Sequence, residues 1–338
     1  QSWIRKKLCS NIPPLLPNFR AMLSRASKIA LSSYLPGGFT PTKIPTALSV
    51  CSRHLSTAAV SSKSSISAKV LTPSVGVVLD MSVNDLRSNM EEGAQKVHSA
   101  VMEHGVCFLR SSSQGGSSSI DPDVEDEALV AFAKHLGTLE GPHPIFSPDP
   151  DSPLAVVAHD VDNPPDGAEW HTDCSWSSKP PFASVLWPKL LPNNGGGDTL
   201  WLSSCAAFEA LPQGMQADLR SLSAVHDMGS FRNSYARRGG ASGINQGHEE
   251  FGCAIWPLVT THPVTGRSCL FVNETFTVHI DGLMANESRR LLNYLFDHIQ
   301  RPDFQCRWKW QLGDVAIWDN RSTQHYACAD YAGLSRKM

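Results

Sequence analysis

Past residue 154 the apolar residues of this chain come in short blocks. "LAVVA", "FASVLW", "TLWLSS", "WPLVT", "SCLFV", "FQCRWKW" and "DVAIWDN" are five to seven residues long and are divided by Pro-, Gly- and Asn-rich stretches. Blocks of that length suit strands and are too short for ordinary helices. Many short strands with one apolar face each must close over a shared core, and a double-sheet jelly roll is the arrangement they fit best. A few helical stretches flank them. "SVNDLRSNMEEGAQKVHSAVMEHG" sets Leu86, Met90, Ala94, Val97 and Val101 at helical spacing and ends at Gly105. "DEALVAFAKHLG", ended by Gly137, predicts a second short helix; residues 204–222 and "NESRRLLNYLFDHIQ" predict two more stretches. The expected class is mainly β with flanking helices (α+β), a double-stranded β-helix forming one domain over residues 71–338.

Residues 1–70 do not share this pattern. No Asp or Glu precedes Asp80, whereas residues 1–79 hold ten of the 29 Lys and Arg. An acid-free, Arg- and Ser-rich leader reads as an organelle transit peptide. "MLSRASKIALSSYL" from Met22 can form a basic amphipathic helix, and "SRHLSTAA" is similar to mitochondrial processing sites. The expected location is mitochondrial, otherwise cytoplasmic, with the residues before about 56–70 removed after import. The remaining chain carries 19 basic against 32 acidic residues. That balance argues against nucleic acid or an anionic membrane as partner. No run of 18 apolar residues exists to span a bilayer. Nine scattered cysteines without a CxxC form neither a zinc ribbon nor a disulfide framework and suggest a reducing compartment. The Gly-, Arg- and Ser-rich stretch 229–255 has little periodicity and reads as a lid.

"EWHTDCSW", residues 169–176, carries the chemistry. On extended backbone the side chains of His171 and Asp173 leave from one face while Thr172 points away. The pair can hold a metal or be an ordinary hydrogen-bonded couple. A metal needs a third ligand from a distant strand pair, and "GDVAIWDNRSTQHYACADY" offers His325. Two His and one carboxylate make the facial triad of Fe(II) oxygenases, with open positions for cosubstrate and O2.

"WHTD", "GGDTLW", "THPVTGRSCLFVNETF", "FQCRWKWQ" and "WDNRSTQHYACADY" follow one another in an order that resembles the taurine dioxygenase (TauD/TfdA) family. The resemblance runs from about Gly76 to Met338. It implies Fe(II) as cofactor, with 2-oxoglutarate and O2 as cosubstrates, and His171, Asp173 and His325 as iron ligands. Thr199 matches a threonine that helps bind 2-oxoglutarate, and Arg336 the arginine that holds its distal carboxylate. Trp318 matches a tryptophan near the iron, and His143 a substrate-binding histidine. Trp176 and Phe276 are expected to line the same pocket. The implied reaction turns 2-oxoglutarate into succinate and CO2 and hydroxylates an unactivated C–H; beside a sulfonate this releases sulfite and an aldehyde.

The resemblance thins at the substrate. The family's tyrosine position is Phe146 here, and its asparagine position is Gly167. A late arginine and the last core strand would fall beyond Met338. The expected substrate is a small organic anion, a sulfonate ahead of an aryloxy acid or sulfate ester, with taurine itself disfavoured. A homo-oligomer is the partner expected besides the substrate. Two other classes fit the triad alone: a zinc hydrolase, which leaves Thr199 and Arg336 without a purpose, and a catalytically silent metal-binding jelly roll.

Overall fold

Alternation within single strands sets the layers. A computed structural model describes residues 67–110, 122–141, 146, 152–165, 169–229 and 252–338, all within the unit Ser62–Met338. Strands β1 (Ala68–Val70), β2 (Val77–Leu79), β3 (Val106–Leu109), β13 (Val315–Asp319) and β5 (Ala183–Leu186) form a five-stranded sheet in that spatial order. Only β2 and β3 run parallel. Cys107 and Leu109 of β3, with Val315 and Ile317 of β13, turn to one face of this sheet. Val106 and Phe108, with Ala316 and Trp318, turn to the other.

The first face is covered by helices. Val83 and Leu86 of α1 (Val83–Ser88), Ala94, Val97 and Val101 of α2 (Met90–His104), and Leu129 and Phe132 of α3 (Pro122–Leu136) pack on it. The second face meets a sheet of β12 (Gln305–Trp308), β6 (Thr199–Ser203) and β14 (Thr323–Ala327), in that order. Phe108 stacks on Trp308 with ring centroids 4.1 Å apart and meets Trp201 edge-on at 5.1 Å. Fully burying a side chain of this size contributes roughly 1.5–3 kcal/mol. Strands remote in sequence thus face each other across an aromatic core, as a jelly roll requires. A third sheet orders β11 (Thr277–Ile280), β7 (Ser223–Asp227) and β8 (Cys253–Pro257); β9 (Val259–Thr261) pairs with β10 (Ser268–Leu270), and β4 (Ala158–His159) with β15 (Arg336–Lys337).

Several sequence expectations need correction. The stretch from Val83 to His104 is two helices, because Asn89 leaves helical dihedrals (φ −154°, ψ 78°) and its side chain caps the Glu92 N–H. Residues 204–222 likewise divide into α4 (Ser204–Glu209) and α5 (Gln213–Leu219), since Pro212 has no N–H to continue a helix. Helix α6 (Ala285–Ile299) forms as its periodicity predicts. "LAVVA" contributes only its last residue to a strand. Strand β1 begins three residues inside the span read as leader, and β8 takes residues 253–255 of the span read as a lid. Cys205 and Cys269, 64 residues apart, are joined as a disulfide, which their spacing did not suggest. The rest of the leader, residues 230–251 of the lid, His143 and Gly167 lie outside the described residues. No helix among the described residues is long and apolar enough to cross a membrane.

Candidate metal centre and anion clamp

His171 and Asp173 sit where strand alternation puts them. His171 and His325 form an antiparallel bridge: the His171 N–H donates to the His325 carbonyl at 3.1 Å, and the His325 N–H to the His171 carbonyl at 2.8 Å. Thr172 turns the other way, buried, its hydroxyl donating to the Thr323 carbonyl at 2.8 Å. His325 lies opposite Trp201 in the β14–β6 register. Donor atoms of His171, Asp173 and His325 then all lie within 4.8 Å of one another. Asp173 Oδ1 is 3.8 Å from His171 Nε2 and 3.7 Å from His325 Nε2. Those separations are too long for hydrogen bonds and leave room for an ion between the three atoms.

The protonation states suit a cation. His171 Nδ1 lies 2.9 Å from the Glu169 carbonyl, which can only accept. Nδ1 therefore carries a proton, which leaves Nε2 as the nitrogen that faces the cluster and can ligate a metal. Burial and the neighbouring His171 push the His325 imidazole down to about 3, so it is neutral near pH 7. Two imidazoles and one carboxylate are the donor set of a facial triad.

A relay fixes the carboxylate. Asp173 Oδ2 accepts from the Ser184 hydroxyl at 2.6 Å. Ser184 accepts from Asn320 Nδ2 at 2.9 Å, and Asn320 Oδ1 accepts from Trp318 Nε1 at 3.0 Å. Every donor in this series has one acceptor, so Asp173 presents Oδ1 to the histidines. The β13–β5 register creates the relay by pairing Trp318 with Ser184. Sequence reading missed Ser184 and Asn320; the signal was a lone hydroxyl inside the apolar block "FASVLW" and an amide directly after "WD". Ser184→Ala is expected to lower the affinity of the cluster for a divalent metal about 10- to 100-fold, the usual cost of losing such a partner. An anaerobic Fe(II) titration tests this, and unchanged affinity would remove the relay from metal binding.

The turn beyond Asp173 is anchored separately. Ser175 Oγ accepts from Asn273 Nδ2 at 3.0 Å and lies 3.0 Å from Nδ1 of the buried His226. Cys174 is the one non-Gly residue at positive φ (52°) among the described residues, which marks how sharply the chain turns after the ligands. Trp176 closes this turn. Aromatic rings wall the cluster: Phe276 meets His171 edge-on at 6.1 Å, and Trp318 lies 4.8 Å and Trp201 6.3 Å from the His325 ring.

Thr199 and Arg336 come together although 137 residues separate them, with Arg336 Nη2 3.5 Å from Thr199 Oγ1. Thr199 lies two strand positions from Trp201, the partner of His325 in register, a step of about 7 Å. Arg336 is 3 % exposed and Thr199 1 %. The guanidinium has no ion pair among the described residues, its Nε has no hydrogen-bond partner, and burial pulls it below its ordinary pKa. A buried cation without a carboxylate is costly unless an anion joins it. Gly197 (φ +80°) admits it: a Cβ there would stand 2.9 Å from Arg336 Cδ. Asp198 beside it is already taken by Arg307 at 2.6 Å. The three candidate ligands and the Arg336–Thr199 pair share one face of the β6–β14 pair.

Comparison with known proteins agrees with this geometry. Residues 67–338 match the family described as "Taurine catabolism dioxygenase TauD, TfdA family". Over 251 residues the chain is 32 % identical to an alkylsulfatase of Acinetobacter baylyi, covering 72 % of this chain and 74 % of that protein. Over 246 residues it is 31 % identical to an alpha-ketoglutarate-dependent sulfate ester dioxygenase of Pseudomonas putida, covering 72 % and 77 %. The crystal structure of a taurine dioxygenase from Burkholderia xenovorans superposes with a TM-score of 0.62 at 28 % identity, covering 80 % of this chain and 88 % of that one.

Proposed function

The chain belongs to the TauD, TfdA family of dioxygenases, and on that premise we propose that it binds Fe(II) and hydroxylates the carbon that carries a sulfonate or sulfate group on a small organic anion. It is an enzyme of the 2-oxoglutarate-dependent dioxygenase class. The observation that carries the assignment of its parts is Arg336, a buried cation without a carboxylate partner among the described residues, beside the Thr199 hydroxyl, which lies two strand positions from the residue opposite His325. A dicarboxylate whose far end rests on Arg336 and Thr199 would bring its other end to the metal.

His171, Asp173 and His325 would hold the ion. Fe(II), when bound with 2-oxoglutarate and O2, supplies the oxidation that turns a C–H into C–OH while 2-oxoglutarate becomes succinate and CO2. The chain's own residues bind, orient and exclude water. His171 Nδ1–H stays with the Glu169 carbonyl, which keeps Nε2 available. Ser184 holds Asp173 Oδ2, and Trp318, Trp201 and Phe276 surround the histidines with apolar surface. On the substrate side we assign Trp176 and Phe276 to the apolar wall and His143 to the anionic head group. Hydroxylation beside a sulfonate gives an unstable product that expels sulfite and leaves an aldehyde. The same step on a sulfate ester expels sulfate. The sulfate-ester arm is supported by the two similar proteins named above, the sulfonate arm by the taurine dioxygenase structure. The acid-free leader supports a mitochondrial destination for the enzyme.

Phe146 and Gly167 lack the polar groups an ammonium end would use. Alkylsulfonates or alkyl sulfates are therefore expected to exceed taurine in kcat/KM by about 10- to 200-fold. The test follows succinate together with sulfite or sulfate across a chain-length series of each class. Taurine outperforming every member would refute the substrate reading, and no succinate formed with any member or without substrate would refute the whole assignment.

A further inference from the structure

We propose that Trp310 is a positioning residue for the cosubstrate: its indole N–H holds the Thr199 oxygen so that the hydroxyl proton is left to be donated to a carboxylate. This rests on reading Thr199 and Arg336 as the 2-oxoglutarate clamp. Thr199 occupies the middle strand of its sheet, facing Trp308 of β12 on one side and Ala327 of β14 on the other. Trp310 follows two residues after Trp308 and reaches back, placing Nε1 3.0 Å from Thr199 Oγ1. Arg336 Nη2 approaches the same oxygen at 3.5 Å.

An indole N–H and a guanidinium can only donate, whereas a hydroxyl has two lone pairs and one proton. With both donors on the oxygen, the Thr199 lone pairs are engaged and its proton must point elsewhere. No described residue accepts that proton, and Thr199 is 1 % exposed. A buried donor without an acceptor is costly unless a ligand provides one. The polarity of the hydroxyl is thus set in advance: it offers a proton beside a cation, and both match a carboxylate. Trp310 is itself held, 6 % exposed and edge-on to Trp201 at 6.2 Å. Trp201 in turn lies opposite His325, so one indole pair braces the metal side and the clamp.

The test is a double-mutant cycle read by equilibrium binding of 2-oxoglutarate to the metal-loaded protein under argon. Fe(II) affinity and the thermal midpoint are measured alongside. Trp310→Phe keeps a ring and removes the N–H; it is expected to raise the Kd for 2-oxoglutarate about 3- to 10-fold with Fe(II) affinity unchanged. Thr199→Val is expected to raise it about 10- to 100-fold. The double variant should bind no more weakly than Thr199→Val alone, because without the hydroxyl Trp310 has nothing to orient. An unchanged Kd in Trp310→Phe, or the full Trp310→Phe loss recurring in the Thr199→Val background, overturns the proposal while leaving the clamp intact. An unchanged Kd in Thr199→Val instead overturns the clamp reading itself. If Trp310→Phe does not fold, the Thr199→Val protein labelled with 15N-tryptophan carries the test. One of the nine indole N–H resonances should then shift relative to wild type, and no shift overturns the proposal.

Discussion

Asp173→Ala is expected to lower Fe(II) affinity by more than about 100-fold and to abolish substrate-dependent succinate formation. Losing a ligand should cost more than losing a ligand's partner, which is typically 10- to 100-fold. Asp173 is the only anion of the three, because the other two donors are imidazoles. Without it, two imidazole nitrogens face a dication with no compensating negative charge. Asp173→Asn, which keeps the shape and one acceptor oxygen, should fall between wild type and alanine. Anaerobic titration with Fe(II) gives the affinities. Wild-type iron binding by Asp173→Ala would mean that the cluster is not the metal centre.

Arg336→Met should move two readouts in opposite directions. Affinity for 2-oxoglutarate is expected to fall about 100-fold, equivalent to about 2.7 kcal/mol. The thermal midpoint of the ligand-free protein is expected to stay level or rise. The guanidinium is buried without a carboxylate partner among the described residues, and replacing a buried charge with an apolar side chain of similar length is often neutral or stabilising. A residue kept only for the fold would behave the other way, losing stability while cosubstrate binding held. Arg336→Lys should rescue little, because an ammonium cannot reproduce a two-pronged contact. An unchanged KM for 2-oxoglutarate in Arg336→Met would remove the arginine from the clamp.

Much of the architecture was legible where one periodicity ran uninterrupted. Helix α6 and strands β5, β6, β12 and β13 form within a residue or two of their blocks. Misreadings came where one residue interrupts a pattern. Asn89 breaks a helix because its side chain prefers to cap the next one, and Pro212 because it has no N–H to give. Strands β7 and β11 mix polar and apolar residues, since His226 and Thr277 are buried against partners that only the folded chain supplies.

The site divides along the same line. That His171 and Asp173 share a face while Thr172 does not follows from the two-residue period of extended backbone, a local property written in "WHTD". The order of the family's motifs along the chain identified His325, Thr199 and Arg336 by resemblance. What converges on those residues was decided by tertiary structure alone. The register of β13 against β5 brings Ser184 and Asn320 to Asp173, and β12 against β6 swings Trp310 onto Thr199. Thr172 bonds to a carbonyl 151 residues away, and Arg336 reaches a hydroxyl 137 residues back. A strand's own residues determine which faces it presents. Which neighbour it meets, and at what offset, depends on how every sheet closes over the shared aromatic core, and sliding one strand by a single position would turn each of these side chains away.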